Sequence, residues 1–119
     1  MNTVMYQYML DKIQDLNKID EEHGILTIEM MKKTSSAVCS EYLVDYCYLF
    51  GSYATGTANE KSDVDLLIST SMQGLSFYEL VEKLREELHK KVDVLDLKQL
   101  LNNEGLINNV LKDGIKIYG

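Results

Sequence analysis

Proline is absent from this 119-residue sequence, and cysteine occurs only twice, at Cys39 and Cys47. Without proline, punctuation falls mainly to Gly24, Gly51, Gly56, Gly74, Gly105, Gly114 and Gly119. The two cysteines form no CxxC pair and have no histidine at metal spacing, which excludes a disulfide framework or a zinc site. Both read as reduced, buried, small apolar residues of a cytoplasmic protein. No apolar run approaches the ~18 residues of a membrane span. The N-terminus lacks the basic-then-apolar pattern of a signal peptide. Positive charge is also scarce: 12 Lys and Arg face 19 Asp and Glu, a formal net charge of −7. Neutralising phosphates takes clustered Lys and Arg, so this balance argues against direct nucleic-acid binding.

What remains is an ordinary globular composition, 45% apolar and 26% charged. The length suits one domain, which buries roughly two-thirds of its unfolded surface. Hydrophobic periodicity predicts helices over residues 3–19 and 27–42, the first with Met5, Met9, Ile13 and Leu16 on one face, the second with Ile28, Met31, Ser35, Val38 and Tyr42. Val44–Phe50 reads as a strand closed by Gly51, and residues 51–61 as a polar loop. A second strand is expected over 63–69. Ser76 and Glu79 have capping-box spacing for a helix running to about His89, with Phe77, Leu80, Leu84 and Leu88 inward. A third strand follows over 92–97, then a helix over 98–112 with Leu101, Ile107, Val110 and Leu111 inward. Gly114 stops it before a short final strand over 115–118. The pattern predicts an α/β (α+β) domain: a small mixed sheet of about four strands packed against helices.

The chemistry concentrates between Leu49 and Ile68. Alternate strand residues share a face, so Asp63 and Asp65 point the same way, about 6–7 Å apart. Adjacent carboxylates repel unless a cation lies between them, and oxygen-only ligands with open positions suit Mg²⁺. Taken alone, Asp-x-Asp reads first as a polar strand end with two solvated acids. Gly51-Ser52, directly after an apolar strand, allows a tight turn whose amides and hydroxyl can face a phosphate. The two features stand ten residues apart, and together they supply the parts of a nucleotidyl-transfer site. Asp93, among β-formers, is the candidate third acid, able to hold a second metal and accept a proton; capping a strand edge is its simpler alternative. Asp96 reads as the N-cap of the last helix. Tyr53 lies in the active loop, where stacking on a base or self-modification stands beside plain packing. His23 and His89 read as helix-end residues. Met1, Met5, Met9, Met30 and Met31 place adaptable apolar surface on the first two helices, for the core or for a partner or dimer interface.

From about Thr27 to Gly119 the sequence resembles the minimal nucleotidyltransferases, the MntA-like antitoxins of the polymerase beta-like superfamily. Gly51-Ser52, ten residues and Asp63-Val64-Asp65 match that superfamily's signature. Tyr48-Leu49-Phe50, Asp93-Val94-Leu95-Asp96-Leu97 and Gly114-Ile115-Lys116-Ile117-Tyr118 resemble the minimal branch. The resemblance implies a small mixed sheet packed against helices. It implies that Gly51 and Ser52 bind nucleotide phosphates and that Asp63, Asp65 and Asp93 are catalytic carboxylates holding Mg²⁺, two ions in all. The implied reaction transfers AMP from ATP to a hydroxyl, in this branch a tyrosine of a HEPN-domain toxin partner. Many relatives carry Arg where this chain has Tyr53-Ala54-Thr55; Lys61 is the nearest loop cation. Residues 1–24 then read as a helical extension and residues 25–119 as the nucleotidyltransferase domain. Two alternatives stand beside this: an antitoxin that neutralises its partner by contact alone, and a small-molecule enzyme like the aminoglycoside-modifying relatives. A homo-oligomer is also left open.

Overall fold

The structure, a computed structural model, describes residues 3–7 and 19–119. Residues 3–7 are helical; the rest of the helix expected over 3–19 lies outside the described residues. Helix α1 (Ile28–Ser40) starts where Thr27 caps it, its hydroxyl accepting the Met30 N–H at 3.1 Å. It buries Met31, Ser35, Val38 and Cys39. Ile28, expected inward, is 38% exposed at the first position of the helix.

Strand β1 (Val44–Phe50) runs straight into a five-residue helix, α2 (Gly51–Thr55). This corrects the polar loop expected there. Gly51 does not end the strand into a loop but turns it, at positive φ, into helical backbone. Strand β2 (Val64–Thr70) leads to helix α3 (Leu75–Leu88). The expected capping box is not formed. Gly74 is the cap residue, with no side-chain bond, and its carbonyl accepts the Tyr78 N–H at 3.0 Å. Ser76 therefore lies inside the first turn, two residues too late to cap it. Leu80, Leu84 and Leu88 are buried as the spacing required.

Strand β3 (Val92–Asp96) ends at a capping box: Asp96 accepts the Lys98 N–H at 2.9 Å while Gln99 Oε1 accepts the Asp96 N–H at 3.1 Å. The single helix expected over 98–112 is two. Helix α4 (Leu97–Leu100) breaks, and Asn103 re-caps the chain by accepting the Leu106 N–H, opening α5 (Glu104–Asp113). The break resets the helical phase. Leu100 and Val110 are buried, Leu106 and Ile107 half-buried, while Leu101 and Leu111, expected inward, are 71% and 79% exposed. Strand β4 (Ile115–Tyr118) closes the chain.

The four strands form one mixed sheet in the order β3-β2-β1-β4. β1 is antiparallel to β2 and β4, and β2 is parallel to β3 across the α3 crossover. The larger core lies on one face, where Met31, Val38, Leu80, Leu84 and Leu88 of α1 and α3 meet Cys47, Leu49, Val64, Leu66, Ile68, Val92 and Ile117. The other face carries a smaller cluster, Leu67, Leu100 and Val110, under α4 and α5. Among the described residues no helix is long and apolar enough to cross a membrane.

Candidate active site

The site begins where β1 becomes α2. Phe50 is extended, Gly51 adopts φ +72°, and helical backbone follows at once. An L side chain rarely adopts that φ. A Cβ at Gly51 would also strike Oδ2 of Asp65, with the Asp65 Cγ and Cβ 3.0 and 3.3 Å away. Glycine is thus demanded twice, by torsion and by the close approach of a carboxylate. Phe50 supplies no side-chain acceptor to the first amides of α2, and Ser52 beside them is half-buried. The far end of the turn is fixed by Thr55, whose hydroxyl reaches the Gly51 and Ser52 carbonyls, both at 3.3 Å, and Thr57 Oγ1 at 2.9 Å.

A second turn delivers the acids. The Asn59 N–H donates to Ser62 Oγ and the Lys61 N–H to Asn59 Oδ1, both at 2.8 Å, and the Ser62 N–H returns to the Asn59 carbonyl. The Val64 N–H then joins the Lys91 carbonyl at 2.9 Å, which docks β2 beside β3. Asp63 stands just ahead of β2, half-buried; it was the expected first residue of that strand, which starts one residue later at Val64. The Asn59 and Ser62 turn was not singled out from the sequence, although Asn-x-x-Ser before a strand is a readable local signal.

Register assembles the rest. Asp65 pairs with Phe50 of β1 on one side and with Asp93 of β3 on the other. Adjacent strands lie about 4.8 Å apart, so Asp65 and Asp93 are lateral neighbours on one face. Burial pushes the Asp65 carboxyl above the usual range, and the nearby carboxylates of Asp93 and then Asp63 push it the same way. Gly51, Ser52, Asp63, Asp65 and Asp93 are thus brought together at one end of the sheet. β3 is an edge strand of the sheet, and Asp93 on it is exposed. Asp96 stands apart from the site as the α4 cap. Tyr53 is buried, and its hydroxyl accepts the Leu26 N–H at 3.4 Å. It packs under the turn rather than reaching a base, and its burial closes it to self-modification.

Among the described residues no three Asp, Glu, His or Cys side chains are already gathered into a metal cage. The donors present still fit Mg²⁺. They are carboxylate oxygens, they leave positions open for water and phosphate, and the repulsion felt by Asp65 is the kind a cation relieves. A groove of about 390 Å³, lined by Tyr48, Leu67, Leu97 and Ile107 among others, opens one same-face step along β2 from Asp65 and contains none of the five residues.

A family model described as polymerase beta, nucleotidyltransferase matches residues 32–119, with the turn and all three acids inside it. The chain belongs to the polymerase beta nucleotidyltransferase family. Over 74 residues it is 34% identical to the protein adenylyltransferase MntA of Shewanella oneidensis, an alignment covering 60% of this chain. It spans 52%, about half, of that relative's length. A toxin-antitoxin crystal structure with AMP-PNP superposes with TM-score 0.63 at 26% identity, covering 74% of this chain and 73% of the other. A complex of a tri-AMPylated Shewanella oneidensis HEPN toxin with an MNT antitoxin superposes with TM-score 0.58 at 22% identity, covering 76% and 71%, and speaks for the fold alone. The mixed sheet with its helices is the nucleotidyltransferase fold.

Proposed function

We propose that this nucleotidyltransferase is a protein adenylyltransferase of the antitoxin type, moving AMP from ATP to a tyrosine hydroxyl of a HEPN-domain toxin. The observation that carries the reading is the convergence at Asp65: its carboxylate lies against Gly51 of the Gly-Ser turn and in register with Asp93. A phosphate-binding turn and an acid pair meet at one point. The likeness to the Shewanella adenylyltransferase and to a toxin-antitoxin structure with AMP-PNP supports this choice within the family.

In this reading the amides after Gly51 and the Ser52 hydroxyl hold the triphosphate. Asp63 and Asp65, with Asp93 for a second ion, would hold Mg²⁺, which supplies charge neutralisation at the phosphates when bound. The acceptor oxygen attacks the α-phosphorus as the bond to the pyrophosphate oxygen breaks. Asp93 accepts the proton of the incoming hydroxyl. Its position on an exposed edge strand suits an acceptor carried by a folded partner rather than one enclosed in a pocket. Residues 25–119 form the catalytic domain and residues 1–24 an extension to it.

The test is transfer of label from α-labelled ATP to a co-expressed HEPN toxin, with peptide mapping of the adduct. Magnesium-dependent labelling of a toxin tyrosine is expected. Toxin neutralisation at full strength with no label incorporated would overturn it in favour of neutralisation by contact.

A further inference from the structure

Among the described residues, the largest side chain with less than 2% exposure is a lysine, Lys90. It sits two residues before β3, at the same end of the sheet as Asp63, Asp65 and Asp93. Its ammonium donates to the carbonyls of Glu60 at 2.6 Å, Gly24 at 2.7 Å and His23 at 3.2 Å. All three acceptors are backbone oxygens, and none of the ion pairs among the described residues includes it. A buried ammonium is costly unless its donors are satisfied, and this one's three donors match three acceptors.

The acceptors come from two segments that lie apart in the chain. Glu60 belongs to the Asn59–Ser62 turn that delivers Asp63. His23 and Gly24 belong to the turn entering α1, which Asp20 ties to itself through the Glu22 and His23 amides and the His23 ring, and which the Leu26 N–H joins to Tyr53 just beyond it. The next residue, Lys91, accepts the Val64 N–H. A two-residue stretch of the α3–β3 connection therefore fixes both the turn before Asp63 and the strand after it. Apolar packing cannot do this, because carbonyls converging on a buried point need a donor there.

We infer that Lys90 is a positioning residue: its ammonium clamps the turn before Asp63 and the segment entering α1 onto the start of β3, and so sets where Asp63 stands relative to Asp65 and Asp93. The catalytic consequence rests on the reading of those acids as the nucleotidyl-transfer carboxylates; the clamp does not.

The experiment compares wild type with Lys90→Met, which keeps the stem and removes the donors, by hydrogen exchange and by AMP-transfer kinetics on the folded protein. Exchange around residues 20–25 and 59–64 is expected to accelerate tenfold or more, with α3 and β1 unchanged. The transfer kcat is expected to fall about tenfold or more with the KM for ATP little altered, as for displaced catalytic groups. Acceleration spread evenly over the chain, acceleration in neither segment, or an unchanged kcat would overturn the positioning role. Should Lys90→Met not fold, wild-type native-state exchange decides: amides of the two segments, sharing one clamp, should open with one common free energy, and distinct values overturn it. If wild type transfers no AMP but the exchange result holds, the functional reading falls and the clamp stands.

Discussion

The two faces of the sheet are unequal. One is covered by α1 and α3 and buries Leu49, Val64, Leu66, Ile68, Leu80 and Leu84 to 0% exposure. The other is covered by two short helices, its cluster is centred on Leu67, Leu100 and Val110, and Leu101 and Leu111 beside it stay in water. Asp65 and Asp93 belong to this thinner face, sharing it with Leu67 and Leu95. The difference assigns tasks. A carboxylate cluster must keep water and ligand access, and it destabilises any face it sits on. The opposite face carries the packing that tolerates it.

The sharpest separation of the two faces comes from the acids. Asp63→Ala with Asp65→Ala should lower AMP transfer about a thousandfold or more, while the melting temperature holds or rises. A double variant that still transfers at the wild-type rate would dissolve the distinction. On the packed face, Leu84→Ala should cost about 2–5 kcal/mol in urea unfolding. Leu111→Ala on the thin face should stay within about 0.5 kcal/mol. Equal losses would mean that the thin face is covered in solution.

Asp65 gives a pH-resolved version. Its native pKa is raised, so the protonated form is favoured in the folded state. That contribution is present at acid pH and is lost as pH rises from the ordinary aspartate range through the raised native value. Asp65→Asn should therefore melt close to wild type near pH ~3 and above it near pH ~7, with catalysis gone. Mg²⁺ should narrow the neutral-pH gap by stabilising the wild type alone, read by calorimetry. The smallest effect belongs to the packed face. Ser35 is fully buried in α1, and its hydroxyl has no hydrogen-bond partner among the described residues. Ser35→Ala should raise stability by up to about 1 kcal/mol, and a loss would mean that the hydroxyl has a partner, such as a buried water.

Local signals were legible where one residue's neighbours decide its state. The β1 strand, the Leu80/Leu84/Leu88 stripe and the Asp96 cap are set within a few residues, and the structure has them. The last helix was misread because the Asn103 cap competes with continued periodicity, and only the packing of α5 decides which leucines turn inward. Ser76 was misread for a similar reason, Gly74 having opened the helix earlier.

The sequence by itself determined the Gly-Ser turn, the spacing to Asp63 and Asp65, the acidity and the alternation that sends Val64 and Leu66 to the core. These are properties of chain geometry over short separations. Only the tertiary structure decided that β3 is an edge strand, that Asp93 stands in register with Asp65, that the Asp65 carboxylate occupies the space a Gly51 side chain would need, and that Tyr53 is buried. It also brought three carbonyls from residues 23, 24 and 60 to one buried ammonium at Lys90. Strand order and register join residues that are 14 or more apart in the chain, and no local preference encodes such a distance.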